Sequence, residues 1–292
     1  MEKLFLVFDE DDYFYKYENN CVYPYRKNEI TLFFIRICNK FKLPIFNFML
    51  SKKLKKNLRN CEVVITDFIC TPSLVKYFKG KHINHYLYLM NTMNEYNSKL
   101  IKYFDKNNIY SFDIHDCNIY GWNYLSTPYS ENIPLPKLKI KYDTVFLGRA
   151  KNRQNSILEL YNLLETKGLK NLFMILNADN NIPDNLKIDK YIDYSDYLKF
   201  VAESKCIIEI INEKQSSKSL RSVEALFFNK KLITNCISIK NEPFYHSNNI
   251  FILGVDNIDD LNDFIQKPFI HFDDIKKEYT LKNWINNFGG NI

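Results

Sequence analysis

The sequence contains few glycines and prolines and has no long apolar run. Seven glycines and nine prolines in 292 residues argue against a low-complexity or repeat architecture, and we find no internal period. No stretch approaches the roughly 18 apolar residues of a membrane-spanning helix. The apolar start at residues 4–8 is too short for the core of a signal peptide. These absences predict a globular protein of the cytoplasm.

Cysteine usage and charge argue against two further classes. The seven cysteines are scattered and odd in number, and no Cys-x-x-Cys pair or cluster with histidine indicates zinc. The net charge of +6 is modest, so it does not by itself indicate a nucleic-acid partner. The sequence also lacks Gly-x-Gly-x-x-Gly and phosphate-loop motifs, which disfavours a dinucleotide or ATP site of the usual kinds.

The remaining composition is sufficient for two domains of alternating strands and helices. Hydrophobic residues make up 46% of the chain and aromatic residues 16%, which is enough to fill two cores. We therefore predict an α/β fold of two Rossmann-like domains that face each other across a cleft. The proline-containing stretch 130–141 is the best linker. The predicted domains are residues 1–135 and 136–275, followed by a terminal helix at residues 276–292.

Residues 205–235 predict a strand, a helix and a second strand. The apolar run 206–211 has the length and β-branched character of a buried strand. A polar turn follows, and apolar residues then recur at helical spacing over residues 219–228. In an open parallel sheet, ligands bind at the carboxyl ends of the strands, where this turn lies. Free N–H groups and the positive dipole end of the helix would suit a phosphate there.

Charged side chains of this turn and helix complete the predicted site. Lys218 and Arg221 would add positive charge to the helix start. Glu224 lies three residues after Arg221, so it points from the same face and can accept hydrogen bonds from ribose hydroxyls. These residues suggest a site for a sugar that bears a diphosphate. The alternative is an ordinary crossover with a solvated turn, which the spacing alone leaves open.

A second group of cations follows the predicted strand at residues 144–147. Gly148 lets the backbone turn sharply, and Arg149, Lys151 and Arg153 stand at the start of the next helix. Cations at a helix start lie next to the positive end of the helix dipole, which is unfavourable unless an anion binds among them. They are therefore candidates for contacts with a diphosphate, whereas the alternative is a loop with scattered surface charge.

Three segments resemble the bacterial GT-B glycosyltransferases that build capsule and lipopolysaccharide. Residues 215–235 resemble the donor-binding pattern Gln-x-Gly-x-Thr-x-Arg-x-x-Glu-Ala and the Gly-Lys-Lys-Leu-Ile-Thr strand that follows it. Here Ser217, Ser219 and Asn229 stand where Gly, Thr and Gly are usual.

The other two segments lie earlier in the chain, in the order of the family. Residues 111–121 resemble a motif of the family that consists of Phe-Asp, an acidic residue and then Tyr-Gly. Residues 142–153 resemble the start of the family's second domain. Together the three segments cover most of residues 111–251.

The resemblance implies a nucleoside-diphosphate sugar as donor and a saccharide or lipid-linked saccharide as acceptor. It also implies that the terminal helix crosses back to the first domain. The predicted cations and the helix dipole at Ser219 could neutralise the leaving diphosphate without a metal, so we expect no metal or other cofactor. Tyr194, near the start of a helix, would stack on the nucleobase or be an ordinary buried tyrosine. The expected donor-binding residues are Gly148, Arg149, Lys151, Arg153, Asn177, Tyr194, Gln215, Ser217, Lys218, Ser219, Leu220, Arg221 and Glu224.

Retaining enzymes of this kind often have two glutamates eight positions apart. Ser216 stands eight positions before Glu224, so the pair is incomplete and the stereochemistry stays open. An inverting reaction needs a base that takes the proton of the acceptor. The candidates are Asp9, Asp12 and Asp113, which follow predicted strands of the first domain. The acidic cluster 9–12 can equally be a solvated loop.

A basic segment follows the aromatic residues Phe46 and Phe48. Its cations are Lys52, Lys53, Lys55, Lys56 and Arg59. A basic amphipathic helix can lie on an anionic membrane surface, so peripheral contact with the inner face of the plasma membrane is one interpretation. An ordinary solvated helix face is the other.

Taken together, the sequence predicts a metal-independent glycosyltransferase of surface-glycan synthesis. The alternative from another class is a non-catalytic protein that binds a nucleotide sugar within a polysaccharide assembly complex. It would keep the basic donor pocket and need no catalytic base.

Overall fold

The computed structural model describes every residue except eight, which are Met1, Glu10, Asp11, Tyr13, Arg59, Glu213, Asn291 and Ile292. The chain divides into two compact units. Unit 1 contains the residues up to Asn132 together with those from Leu281 onwards, and unit 2 contains Ile133–Thr280. Each unit is built on one six-stranded parallel sheet with helices, which confirms the predicted α/β class with two Rossmann-like domains.

The sheet of unit 1 consists of short apolar strands. They are β1 (Glu2–Leu6), β2 (Cys21–Val22), β3 (Cys61–Thr66), β4 (His85–Leu89), β5 (Ile109–Ser111) and β6 (Asn123–Tyr124), in the spatial order β2-β1-β3-β4-β5-β6. Pairs such as Leu4 with Val63 and Val64 with Tyr86 fix their register. Alternate residues of these strands belong to two separate apolar clusters, so both faces of the sheet are covered.

Five helices lie between these strands in sequence, and each begins after a polar residue. They are α1 (Glu29–Phe41), α2 (Lys52–Asn57), α3 (Pro72–Gly80), α4 (Glu95–Leu100) and α5 (Ile114–Tyr120). Their caps accept a hydrogen bond from a backbone N–H of the first turn, and they are Asn28, Ser51, Thr71, Asn94 and Asp113. Because a cap of this kind is worth about 1 kcal/mol, the local sequence fixes these helix starts.

In the sheet of unit 2, the order in which the chain adds strands reverses at the centre. Its strands are β7 (Tyr142–Arg149), β8 (Asn171–Leu176), β9 (Lys187–Ile188), β10 (Ser204–Glu209), β11 (Lys231–Thr234) and β12 (Ile250–Ile252), in the order β12-β11-β10-β7-β8-β9. The chain moves outwards from β7 to β9 and then returns to place β10 on the other side of β7. Ligands of open α/β sheets bind at the carboxyl ends of the strands at such a switch point.

The helices of unit 2 pack their apolar residues on this sheet or, in the case of the last, on a neighbouring helix. They are α6 (Gln154–Thr166), α7 (Tyr194–Ala202), α8 (Leu220–Phe228), α9 (Leu261–Gln266) and α10 (Asp273–Tyr279). The predicted strand, helix and strand of residues 205–235 correspond to β10, α8 and β11. The carboxyl end of β7, the start of α7 and the start of α8 provide the residues of the cavity described below.

The last helix, α11 (Leu281–Trp284), belongs to unit 1. Its Trp284 is 1% exposed and packs edge-on against Tyr88, with 4.8 Å between the ring centroids. The Trp284 Nε1 donates to the carbonyl of Ser126 at 2.6 Å. The terminal helix that the sequence predicts is interrupted at Thr280, where extended backbone separates α10 from α11. Aromatic burial fixes the second of the two helices to unit 1.

Among the helices that the structure describes, none combines the length and the apolar content that crossing a membrane requires.

Candidate functional site

A cavity of about 270 Å³ lies at the carboxyl edge of the unit 2 sheet. Its wall combines two arginines, three tyrosines, a carboxylate and apolar residues; the lining residues are Leu147, Gly148, Arg149, Tyr191, Ile192, Tyr194, Tyr197, Leu220, Arg221 and Glu224. Ligand pockets usually measure roughly 300–1,000 Å³. The volume therefore suits part of a ligand, such as one nucleoside.

Arg221 is held beside the end of β7 by the backbone. Its guanidinium donates to the carbonyl oxygen of Leu147 and lies 5.8 Å from the centroid of the Phe146 ring. Phe146 is fully buried, so it provides a fixed surface for the guanidinium. These contacts orient Arg221 towards the cavity before any ligand binds.

Further cations gather at the same place. Arg153 donates to the carbonyl oxygens of Ile210 and Arg149, the latter at 3.4 Å. Burial, followed by the charge of Arg221, lowers the pKa of Arg153 to about 10. The pKa of Lys151 is also lowered, by desolvation first and then by Arg153, Arg149 and Arg221. Because these like charges repel one another, an anion bound among them would be stabilised.

Gly148 allows the two guanidinium groups to approach the backbone of β7. A Cβ at this position would lie 3.1 Å from Nη2 of Arg221, 3.3 Å from the Phe146 ring and 3.5 Å from Nη2 of Arg153. A side chain here would push the guanidinium groups outwards. Gly148 lies within β7 and pairs with Ile175, so it serves close packing of the cations and not the sharp turn that the sequence predicts.

Backbone strain marks the same edge of the sheet. Lys151 and Asn177 follow the ends of the neighbouring strands β7 and β8, and their φ angles are 47° and 56°. Left-handed backbone is unfavourable for residues other than glycine, and such strain clusters at functional sites.

Glu224 provides the carboxylate of the cavity. The residue is 2% exposed, and its two carboxylate oxygens accept hydrogen bonds from the hydroxyls of Tyr194 at 2.7 Å and Tyr197 at 2.8 Å. Burial raises the pKa of Glu224, while the two tyrosines and Arg221 act in the opposite direction. The tyrosines fix the orientation of the carboxylate, which can accept further hydrogen bonds from hydroxyls of a ligand.

A second buried carboxylate, Glu209 at the end of β10, organises the start of α8. It accepts hydrogen bonds from the backbone N–H and the hydroxyl of Ser219 at 2.8 and 2.6 Å, and from the hydroxyls of Ser222 and Thr234 at 2.9 and 2.7 Å. The N–H of Arg221 is bonded to the Ser219 hydroxyl. The chain therefore uses part of the anion-binding capacity that we expected at this helix start. This role of Glu209 is not among the predicted ones, although a glutamate inside an apolar strand is a signal for it.

Lys218 lies in a buried cluster of its own. Its ammonium forms an ion pair with Glu242 and lies 5.8 and 5.5 Å from the ring centroids of Phe244 and Tyr279. The hydroxyl of Tyr279 also donates to Glu242, at 2.6 Å. Desolvation lowers the pKa of Lys218, against the opposing effect of Glu242. These contacts tie Lys218 to Tyr279 of α10 and to the segment that holds Glu242 and Phe244, outside the residues that line the cavity.

The structure brings about half of the predicted donor residues together. Those that line the cavity are Gly148, Arg149, Tyr194, Leu220, Arg221 and Glu224. The other predicted donor residues are Lys151, Arg153, Asn177, Gln215, Ser217, Lys218 and Ser219, and they lie outside this lining set. Of these, Ser217 is buried, and its carbonyl accepts from the side chain of Gln215 at 2.7 Å. Three lining residues, Tyr191, Ile192 and Tyr197, are absent from the predicted set.

The acidic candidates of unit 1 have different environments. Asp113 is fully buried and caps α5, where it accepts from the N–H groups of His115 and Asp116 at 3.1 and 3.3 Å. Asp9 is half-exposed and forms an ion pair with Lys27 at 3.2 Å. Asp12 accepts from the N–H of Phe14 at 2.9 Å. The remaining members of the acidic cluster, Glu10 and Asp11, lie outside the described residues, as does Arg59 of the basic segment.

Asp67, at the end of β3, is a further acid of unit 1 and is not among the predicted candidates. It is 2% exposed and accepts hydrogen bonds from the N–H of Met90 at 3.2 Å and the side-chain amide of Asn91 at 3.0 Å. Burial raises its pKa, while these hydrogen bonds act in the opposite direction.

Comparisons with known proteins identify the fold. No protein-family model matches the chain, and no curated protein matches its sequence. AviGT4, a glycosyltransferase involved in avilamycin A biosynthesis, has a TM-score of 0.52 and 9% identity over 84% of this chain and 78% of its own. Accessory secretory protein 1, 2 and 3 of Streptococcus pneumoniae has a TM-score of 0.45 and 12% identity over 83% of this chain and 59% of its own. The chain is thus similar in fold to a glycosyltransferase.

Proposed function

We propose that this protein is a glycosyltransferase that transfers a sugar from a nucleoside diphosphate to a saccharide or lipid-linked saccharide acceptor. The observation that carries the proposal is the cavity at the switch point of unit 2, where Arg149, Arg221 and Glu224 converge with tyrosines. Cations, a buried carboxylate and aromatic rings match the phosphates, ribose and base of a nucleotide. The fold likeness to AviGT4 is consistent with this chemistry.

Each part of the donor has a proposed partner. Glu224, oriented by its two tyrosines, accepts hydrogen bonds from the ribose hydroxyls. Tyr191 is 71% exposed at the cavity and stacks on the nucleobase. Arg149 and Arg221 bind the diphosphate, with Lys151 and Arg153 adding positive charge nearby.

The reaction breaks the bond between the anomeric carbon of the sugar and the diphosphate oxygen. The electron pair leaves with the diphosphate, and the cations stabilise the charge that develops there. In this proposal they do so without a metal ion. The acceptor hydroxyl oxygen forms the new bond to the anomeric carbon, and its proton passes to a base. Asp9, Asp12 and Asp113 of unit 1 are the candidate bases, and synthesis of capsule, lipopolysaccharide or a related surface glycan is the proposed setting.

A second function, binding of a nucleotide sugar without turnover, is favoured by one observation. The carboxylate of Asp113 is buried and already holds the start of α5, which explains its presence without catalysis. In that case the protein would serve as a donor-binding partner in a polysaccharide assembly complex.

Thermal-shift measurements with nucleoside diphosphates and their sugars test the binding site. A preferred ligand raises the melting temperature by mass action, and we expect one nucleobase to be preferred. Arg221→Ala should reduce the shift strongly, whereas Lys139→Ala removes an exposed cation of unit 2 outside the lining set and should leave it unchanged. The proposal fails if none of these compounds shifts the melting temperature.

Release of nucleoside diphosphate from the preferred donor separates the two functions. Turnover that is lost in Arg221→Ala supports the transferase, and tight binding without turnover across many acceptors supports the binding partner. Asp113→Asn is an informative variant, because Asn caps a helix about as well as Asp. If Asp113 is the base, the variant should keep its melting temperature and lose turnover.

A further inference from the structure

Helix α1 presents an apolar stripe to solvent in addition to the face that it buries. The buried residues are Thr31, Ile35 and Cys38. A second set recurs at intervals of three and four residues along the helix; it consists of Ile30, Phe33, Phe34, Ile37 and Phe41. Of these, Ile30, Phe33 and Phe41 are 69%, 59% and 64% exposed. A helix of a soluble domain normally has one apolar face, so the second face requires an explanation.

The exposed stripe continues into the segment that follows α1. Phe48 packs edge-on against Phe34, with 5.7 Å between centroids, and Phe46 stacks on Phe48 at 6.0 Å. Phe46 and Phe48 are about half exposed, as is Leu43. Together these side chains and the exposed residues of α1 form one surface, which we call the aromatic surface.

Positive charge is concentrated around the aromatic surface. The sequence between Arg26 and Asn60 contains ten lysines and arginines and a single acidic residue, Glu29, a net charge of +9 in a chain whose total is +6. The rest of the chain is therefore slightly acidic. Lys40, Lys42, Lys52 and Lys56 are exposed. Lys40 also lies 5.7 Å from the ring centroid of Phe41, so charge and apolar surface are in contact.

We propose that the aromatic surface of α1 docks on an anionic lipid bilayer, with the exposed phenylalanines inserted at the headgroup boundary and the lysines above the lipid phosphates. Helices that lie in the membrane interface combine these two features. A second copy of the chain is a poorer occupant, because it would bring the same exposed lysines to the same surface. Nucleic acid would match the charge but leave the exposed apolar stripe without a partner.

A cavity of about 600 Å³ adjoins the aromatic surface. The cavity is lined by Asn47, which lies between the two exposed phenylalanines, and by Lys55 of α2. Lys81 and His82, which follow α3, also line it. Cations around a space of this size suit the headgroup of an anionic lipid, as basic pockets do.

Binding to vesicles tests this proposal, which does not depend on the proposed function of unit 2. We expect the full chain to bind vesicles of phosphatidylcholine that contain about 30% phosphatidylglycerol. It should bind vesicles of pure phosphatidylcholine much more weakly. Phe33→Ser/Phe41→Ser should weaken binding about tenfold or more, because two large side chains no longer insert. Lys52→Glu/Lys56→Glu should weaken it by more than about 25-fold, because each lost cation accounts for about fivefold and the added glutamates are repelled by the anionic lipid. The remaining binding should be less sensitive to salt.

Matched controls use exposed residues elsewhere. Ile119→Ser removes a 58% exposed apolar side chain of α5, and Lys102→Glu/Lys139→Glu reverses two exposed cations. Both should bind vesicles like the natural chain, and melting curves check that all variants fold.

Three results would overturn the proposal. The first is no difference between anionic and neutral vesicles. The second is equal effects of the surface variants and the controls. The third is a dimer in sedimentation, lost in Phe33→Ser/Phe41→Ser, in a protein that does not bind vesicles.

Discussion

Replacing Arg221 by alanine should weaken the binding of a nucleoside diphosphate but leave binding of the corresponding nucleoside nearly unchanged. The guanidinium is fixed in place by the Leu147 carbonyl and the Phe146 ring, so a phosphate finds it already oriented. A hydrogen bond between charged groups contributes roughly 1.5–3 kcal/mol, which corresponds to a loss of roughly 10- to 150-fold in affinity.

The same substitution should change stability only slightly. It removes one hydrogen bond, worth about 1 kcal/mol, and one cation–π contact, worth about 0.5–1 kcal/mol. It also removes a like charge that lowers the pKa of Arg153, and this relief opposes the loss. We therefore expect the free energy of unfolding to fall by about 1–2 kcal/mol at most.

Isothermal titration of the preferred nucleoside diphosphate and of its nucleoside measures the two affinities. Arg221→Lys keeps the charge and loses the planar fork, so its diphosphate affinity should lie between those of the natural chain and Arg221→Ala. Equal losses for nucleoside and nucleoside diphosphate would refute the reasoning, since they would indicate a disrupted cavity and not a lost phosphate contact.

Three further predictions concern groups outside the cavity lining. Lys218→Met should lower the free energy of unfolding by about 3 kcal/mol in urea titrations, because it leaves the partly buried Glu242 without the cation of its ion pair, and Lys218→Met/Glu242→Gln should recover part of the loss. For Asp67→Asn, the melting temperature relative to the natural chain should rise between pH 4 and pH 8. The folded state raises the pKa of Asp67, so its stabilising effect is full below the ordinary carboxyl pKa and is lost as the pH rises through the raised value. Trp284→Ala should lower the free energy of unfolding of unit 1 by about 3–5 kcal/mol, as for other large buried aromatic residues, and an unchanged urea midpoint would show that α11 does not stabilise that unit.

The fold could be predicted from the sequence because its signals are local. Apolar β-branched runs mark the strands, and polar caps such as Asn28 and Thr71 mark helix starts within three residues of the amide that they bind. The cavity could be predicted in part for the same reason. Gly148 and Arg149 end one strand, while Arg221 and Glu224 share one face of a short helix.

The rest depends on partners that are distant in sequence. Glu209 is explained by Thr234, 25 residues later, and Lys218 by Glu242, 24 residues later. Helical spacing alone shows neither pairing. The spacing of α1 was informative about helix formation but not about burial, since its apolar residues cover two faces and only one packs on the sheet. The interruption at Thr280 coincides with the passage of the chain from unit 2 to unit 1, where Trp284 is buried, and no glycine or proline marks it in the sequence.

A crystal structure with the preferred nucleoside diphosphate bound tests the central claim most directly. The account predicts phosphate oxygens within hydrogen-bond distance of Arg149 and Arg221, and ribose hydroxyls on the carboxylate of Glu224. A nucleotide bound elsewhere on the chain, with this cavity empty at millimolar ligand, would contradict it.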